Sequence, residues 1–345
     1  MSNQQHPLGS GFTAASTADD VLADVDLTGV NAIITGGHSG IGLAATRALT
    51  RAGASVTVPA RNPDRAAANL SGIERVEVHR LDLLDPDTIH AFADAWNTTS
   101  RPLHILINNA AVPTPGSVVR DSRGFEVQFA TSHLGHFQLT LALHDALHAA
   151  HGARVVNVSS GAHRFAGIQW DDPHFTKTYD PGLSYAQAKV ANVLFAVALD
   201  RRWSSHGIRG YAVHPGVVLG TQLNAAGDPA AYRAMGLLDQ DGRPVLDPAA
   251  GKKTAEQGAA TLVYAATSPQ LDGIGGVYLK DSDIAPVDDR ILPLTADLIP
   301  ADAAPHALDP KAADRLWDMS RRMLLPSLTT TPTGEAAPDH ATSVP

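Results

Sequence analysis

The feature that most constrains this 345-residue chain is a rhythm. Seven short apolar runs recur between longer Ala/Leu-rich segments: Val30–Thr35, Ser55–Ala60, Arg75–His79, Leu103–Asn108, Arg154–Val158, Gly210–His214 and Gly275–Leu279. Stretches such as NAIIT, LHILI and RVVNV lack the in/out alternation of a half-exposed strand. They read as strands covered on both faces, the habit of a parallel sheet. The segments between them carry helix signals, for example Asp85-Pro86, with Pro in a first turn, and the Ala/Leu-rich span from Ser39 to Arg51. The expected architecture is α/β, a Rossmann-like, doubly wound, seven-stranded parallel sheet in a single domain.

Residues 1–23 and 328–345 have no apolar periodicity and are expected to be flexible extensions. The domain proper spans 24–285. Within it the Gly/Pro-rich stretch 217–252 breaks the rhythm after the sixth strand, where a substrate loop would sit. Residues 286–327 form a C-terminal extension, with a short helix that sets Leu316, Met319 and Met323 on one face. Lys and Arg number 26 against 35 Asp and Glu, giving a net charge of −9 with no basic cluster. A nucleic-acid partner is not expected. The absence of cysteine removes disulfides, thiolate nucleophiles and Cys-type zinc sites. With no export signal and no apolar run near ~18 residues, the expected setting is cytoplasmic, without a membrane span. His144, His148 and His151 share a helix face, but no fourth ligand is evident, so no metal is expected.

The chemistry is carried by ordered motifs at strand ends. The first strand runs into Thr35-Gly36-Gly37-His38-Ser39-Gly40-Ile41-Gly42 and then a helix. A Gly-rich turn at that junction lets backbone N–H groups approach a pyrophosphate. The second strand ends in Ala60-Arg61-Asn62, where an NAD-type carboxylate would be expected to hold the ribose 2′-OH. A guanidinium there favours a 2′-phosphate, hence NADP(H) over NAD(H). Tyr185 and Lys189 are spaced i, i+4 and share a helix face. A nearby ammonium favours the phenolate, which suits Tyr185 to exchange a proton with a carbonyl or alcohol oxygen. Ser160 can position that oxygen.

Together with Leu81-Asp82-Leu83, Asn108-Asn109-Ala110-Ala111, Ser159-Ser160, Tyr185-Ala186-Gln187-Ala188-Lys189 and His214-Pro215-Gly216, this order of motifs resembles the short-chain dehydrogenase/reductase family over roughly residues 28 to 280. The HLGHF string (His133 to Phe137), the VNVSS string and the long gap from Ser160 to Tyr185 are most similar to its retinol-dehydrogenase-like branch and bacterial relatives. The resemblance implies a catalytic set of Ser160, Tyr185 and Lys189. It also implies a cofactor set of Gly36, His38, Ser39, Gly40, Ile41, Gly42, Arg61, Asp82, Leu83, Asn109, Ala110, Pro215, Gly216 and Val218, together with Tyr185 and Lys189. Ser132 stands where the family usually places an Asn that holds a water beside the Lys. The implied activity is hydride transfer between a nicotinamide and a small-molecule carbonyl or alcohol, in a homodimer or homotetramer. The alternative is a catalytically impaired dinucleotide-binding regulatory protein on the same fold, motivated by Ser132. Phe165, His163, Trp170, His174, Phe175 and Tyr179 could wall an apolar substrate pocket or pack in the core.

Overall fold

A computed structural model describes residues 4–221, 223, 228–293, 295–296 and 298–328. Its sheet comprises β1 (Asn31–Ile34), β2 (Ser55–Ala60), β3 (Val76–Arg80), β4 (Ile105–Asn108), β5 (Ala153–Val158), β6 (Ile208–His214), β7 (Val277–Lys280) and β8 (Asp283–Ile284), in the order β3-β2-β1-β4-β5-β6-β7-β8. The first seven are parallel, as the apolar runs require. Ala32, Ile34, Ile105, Ile107, Val156 and Val213 pack on one face, while Ile33, Leu106, Val155 and Ala212 pack on the other. The expected seven strands gain an eighth, antiparallel to β7 with Leu279 opposite Ile284. Asp281 and Ser282 make the two-residue turn with φ of 52° and 59°, the geometry of a hairpin whose usual glycine is missing.

The helices are α1 (Ala18–Leu22), α2 (Gly40–Arg51), α3 (Pro63–Asn69), α4 (Pro86–Thr98), α5 (Val127–Phe129), α6 (His136–Ala142), α7 (His144–His148), α8 (Pro181–Trp203), α9 (Pro229–Ala234), α10 (Ala255–Thr267) and α11 (Pro310–Leu328). α1, α2 and α10 cover one face of the sheet; α4, α6, α8 and α11 cover the other. With its following 3-10 turn, α8 is apolar and long enough to cross a bilayer by composition alone, which the reading of apolar runs missed. Yet 83% of that window is buried in the fold, so it is a core helix.

Two extensions differ from expectation. Residues 4–23 are a packed strap, not a flexible tail. The Gln5 side chain donates to the carbonyls of Tyr278 (2.8 Å) and Ala285 (2.6 Å) and accepts from Tyr278 N–H (2.9 Å). Leu8 and Gly9 N–H donate to Asp283, and Thr17 and Asp20 form a capping box for α1, which buries Ala18, Val21 and Leu22. At the other end the expected short helix is α11, which runs for 19 residues. Its Trp317 packs edge-on to Phe137 (4.9 Å between ring centroids) and Trp203 (5.7 Å), and against Phe195 (6.0 Å). The expected tail at 328–345 lies outside the described residues beyond Leu328.

Candidate active site

The sheet order reverses between β1 and β4, and a ligand crevice is expected outside the carboxyl ends of strands at such a switch point. A cleft of about 1100 Å³ opens there, just above the ~300–1,000 Å³ range of single small-molecule pockets. One end is built from the turn between β1 and α2. Gly36 and Gly40 adopt φ of 67° and 52°, and a Cβ on Gly42 would lie 2.4 Å from the Gly36 carbonyl and 2.6 Å from Asn109 Nδ2. Only glycine fits this close approach. Ser39 begins α2 without a side-chain cap, so the first-turn N–H groups are open to an anion in the cleft.

Thr35 locks the turn to β4. Its Oγ1 accepts from the N–H groups of Asn109 (2.9 Å) and Ala110 (3.0 Å), and Asn109 Nδ2 donates to the Thr35 carbonyl (2.9 Å). His136 completes the lock: Nδ1 lies 3.1 Å from the Ser132 carbonyl, which can only accept, and Nε2 lies 2.8 Å from Thr35 Oγ1. Burial, with smaller influence from Lys189, pushes this imidazole down to about 4. The ring is therefore neutral, Nδ1 carries the proton, and Thr35 donates to Nε2. The segment between α5 and α6, Ala130–Gly135, is a π-helical turn, a distortion often found where function re-aims a helix.

At the far end of the Gly-rich turn Arg61, Arg65, Asp82 and Leu83 line the cleft. Arg80 Nη1 donates to the Arg61 carbonyl (3.3 Å), and Asn62 Oδ1 accepts from Arg65 N–H (3.0 Å) as the cap of α3. The His38 imidazole is held below its usual range by burial and then by the Arg65 charge, and its Nδ1 is buried without a partner in the chain. Asp82 Oδ1 accepts from Leu84 N–H (3.0 Å), which holds its carboxylate in place. These groups fit a dinucleotide: a glycine cradle, a helix N-terminus, an unpartnered imidazole nitrogen and two guanidinium groups with no carboxylate at the end of β2. Arg65 was not anticipated. Its only signal in the sequence is a second arginine four positions after Arg61.

Midway along the cleft three side chains converge. Ser160, just after β5, is near enough to the Tyr185 hydroxyl to lower the phenol's pKa, while the larger effect of burial raises it. The net direction is upward, opposite to the expected lowering by Lys189. The reason is geometric: Lys189 Nζ stands 5.5 Å from the centre of the Tyr185 ring and donates to the Val158 carbonyl (3.2 Å). Lys189 is 3% exposed, and burial pushes its ammonium down to about 8.

Ser132 does not join this group. Every other residue named from the sequence for catalysis or cofactor binding lines the cleft. Ser132 is buried behind the wall, its Oγ without a partner in the chain. Of the six aromatic and histidine residues between Ser160 and Tyr185, Phe165 alone lines the cleft. His163 and Phe175 are buried, His174 stacks on Phe125, Trp170 packs on the core beneath Arg315, and Tyr179 donates to the Pro115 carbonyl.

The turn after Ser160 is held by groups from three distant segments. Gly161 N–H donates to His214 Nδ1 (3.2 Å), and His163 Nδ1 donates to the Ser160 carbonyl (2.7 Å) while its Nε2 accepts from Ala304 N–H (3.1 Å). Arg164 Nη1 donates to the carbonyls of Asp288 (3.0 Å) and Asp302 (2.8 Å), and its Nη2 to the Arg290 carbonyl (2.7 Å) and Asp288 Oδ2 (3.3 Å). A Cβ on Gly161 would sit 2.5 Å from the Pro300 carbonyl. The described residues of the strap 286–304 are thereby drawn across the cleft, where Thr295, Ile299 and Pro300 form part of the wall. No periodic pattern of apolar residues marks it.

Comparison with known proteins agrees with this geometry. The family described as short chain dehydrogenase matches residues 30–230. A "Probable oxidoreductase" of Streptomyces lividans is 43% identical over 301 residues, covering 85% of this chain and 97% of the relative. Retinol dehydrogenase 12 of Bos taurus is 35% identical over 308 residues, covering 87% and 88%. The crystal structure of an uncharacterized protein from Mycobacterium Paratuberculosis superposes with a TM-score of 0.65 at 29% identity, covering 90% of this chain and 97% of that one. The chain belongs to the short-chain dehydrogenase/reductase family and is an NAD(P)-dependent oxidoreductase.

Proposed function

We propose that the protein is an NADP(H)-dependent oxidoreductase that interconverts a carbonyl compound and its alcohol, with Tyr185 as the acid/base, Lys189 as its electrostatic partner and Ser160 as the group that positions the reacting oxygen. The observation that carries this reading is the convergence of Ser160 and Tyr185 on the cleft wall with the buried Lys189 ammonium beside the Tyr185 ring. NADPH, when bound, supplies the hydride. In reduction the carbonyl carbon gains that hydride and the oxygen takes the Tyr185 proton, giving an alcohol. A phenol held above its usual pKa by burial stays protonated at neutral pH, which suits the reductive direction. Ser160 Oγ, which accepts from Ala162 N–H (3.2 Å), can hold the carbonyl oxygen against Tyr185 before transfer. The Lys189 ammonium stabilises the phenolate left behind.

Arg61 and Arg65 carry the cofactor preference, because two guanidinium groups at the ribose end reward a 2′-phosphate. The experiment is NADPH consumption with a panel of aldehydes and ketones, run for the wild type, Tyr185→Phe and Arg61→Ala. Tyr185→Phe is expected to lose roughly 10²–10⁴ in turnover while still binding NADPH. Arg61→Ala is expected to raise KM for NADPH and leave NADH unchanged. Undiminished consumption by Tyr185→Phe would overturn the mechanism, and equal loss for both cofactors would overturn the NADP(H) assignment. Tight NADPH binding with a wild type silent on every carbonyl would favour the regulatory reading, for which the displaced Ser132 is the motivating observation.

A further inference from the structure

The substrate half of the cleft, beyond the cofactor-lining residues, takes its wall from five segments through Val112, Phe165, Leu183, Met235 with Leu237, and Ile299. Two of them, the turn that carries Phe165 and the strap that carries Ile299, are tied to Ser160 by one side chain that the chemistry above leaves unused. That side chain is His163, which is fully buried. Its Nδ1–H donates to the Ser160 carbonyl, its Nε2 accepts from Ala304 N–H at the end of the strap, and its own carbonyl accepts from His306 Nε2 (3.0 Å).

Ser160 needs such support because it lies just past the sheet. The pairing of β5 with β6 runs out where Ser159 N–H donates to the Val213 carbonyl (2.8 Å), and the peptide from the Ser160 carbonyl to Gly161 N–H falls outside the ladder. A buried peptide must find partners elsewhere. Two imidazoles bracket it. His163 Nδ1–H reaches the carbonyl at 2.7 Å, beside the bond from His163 backbone N–H (3.1 Å), and His214 Nδ1 accepts the Gly161 N–H at 3.2 Å. Both rings are neutral, since burial pushes His163 down to about 4 and His214 to about 3. Their partners then fix opposite tautomers, Nδ1–H on His163 and Nε2–H on His214. A change of tautomer in either ring would set donor against donor or acceptor against acceptor. The Tyr278 ring packs on His163, 4.5 Å between centroids, and limits its swing.

The Ser160 hydroxyl rides on the bracketed peptide. Ser160 has φ of −162° and ψ of 159° and caps the turn that follows, its Oγ accepting from Ala162 N–H, so the direction of Oγ follows the plane of the 160–161 peptide. We infer that His163 and His214 are positioning residues of the reaction: they hold the Ser160–Gly161 peptide from both sides and thereby aim the Ser160 hydroxyl at the reacting oxygen. The inference rests on the reductase reading above.

The test separates the two ends of His163. His163→Asn puts an amide N–H near the position of Nδ1 and keeps the bond to Ser160, whereas His163→Gln reaches the position of Nε2 and keeps the bond to the strap. The probe is NADPH with the carbonyl of the panel above that the wild type reduces fastest. For His163→Gln kcat should fall roughly 10- to 100-fold, the scale of a misplaced catalytic group, and His163→Asn should stay at least about fivefold above it. KM for NADPH should remain within about twofold in both. In a Ser160→Ala background His163→Gln should cost less than about threefold more, because a group that acts through Ser160 has nothing left to aim. His214→Asn and His214→Leu repeat the comparison at Gly161 N–H, the amide oxygen keeping an acceptor and leucine removing it. Equal kcat for the two His163 variants, or an undiminished cost of His163→Gln in the Ser160→Ala background, overturns the inference and leaves the reductase standing. If neither His163 variant binds NADPH, the His214 pair decides by the same ratio in the same two backgrounds. No Tyr185-dependent turnover by the wild type on any carbonyl of the panel overturns the reductase reading and the inference together.

Discussion

The two halves of the cleft are built by different means. The dinucleotide half is made mostly of backbone, from the turn after β1 and the ends of β2, β3 and β4, in segments short enough that each strand end delivers its own contact. The substrate half is gathered from five segments spread between Val112 and Ile299 and held by side-chain hydrogen bonds, above all those of Arg164. A half made of backbone tolerates little change of side-chain size. A half made of suspended side chains can be retuned by one substitution without touching the other. This division explains how one dinucleotide cradle can serve many substrates.

Four changes would break or sharpen that contrast. The largest effect is expected from Gly42→Ala: its Cβ meets backbone on one side and Asn109 on the other, so NADPH affinity should fall by about 100-fold or more, measured by titration of intrinsic fluorescence. Lys189→Met stands at the seam between the halves and should abolish turnover. In the wild type, reductive turnover is expected to hold below pH 8 and to fall above it, because the ammonium, pushed down to about 8, is lost there. The same depression has a sign for stability. An unfolded lysine keeps its proton to higher pH, so burying this one penalises the fold below pH 8, and the penalty fades as pH rises toward the unfolded value. Lys189→Met should therefore raise Tm of the cofactor-free protein at pH 7, with a smaller gain at pH 10.

Arg164→Ala removes the support of the strap and should lower kcat/KM for the carbonyl substrate roughly 10- to 100-fold, with KM for NADPH within about twofold. Arg164→Lys should recover only part, since one ammonium cannot reproduce a fork that serves four acceptors. An equal rise in KM for NADPH would show that the two halves are one mechanical unit. The smallest effect belongs to Ser132→Asn. That side chain sits behind the wall and not on it, and turnover should stay within about tenfold; a much larger gain would mean that the relay position limits the natural enzyme.

Much of the first half was legible in the sequence and much of the second was not. Glycines at Gly36, Gly40 and Gly42 announce a close backbone approach, and apolar runs announce strands, because both signals are local. The strap 286–304 and residues 4–23 are fixed by hydrogen bonds to partners far along the chain, such as Asp283 with Leu8 and Gly9. No period or composition marks such contacts. The aromatic residues after Ser160 show the same limit: Phe165 and Phe175 look alike in sequence, yet one borders the cleft and the other is 6% exposed. The Tyr185 pKa went the other way because spacing places Lys189 on the same helix face but says nothing of burial, which here dominates.

The amino-terminal strap also imposes an order of assembly. Gln5 emerges from the ribosome long before the Tyr278 backbone to which it is bonded, 273 positions away. Throughout translation the dinucleotide half can close while this first segment has no edge to hold. Residues 4–17 act as a seal applied after β7 and β8 have formed. Slow hydrogen exchange at the Leu8 and Gly9 amides would thus report that the last edge of the sheet, and not merely its centre, is in place.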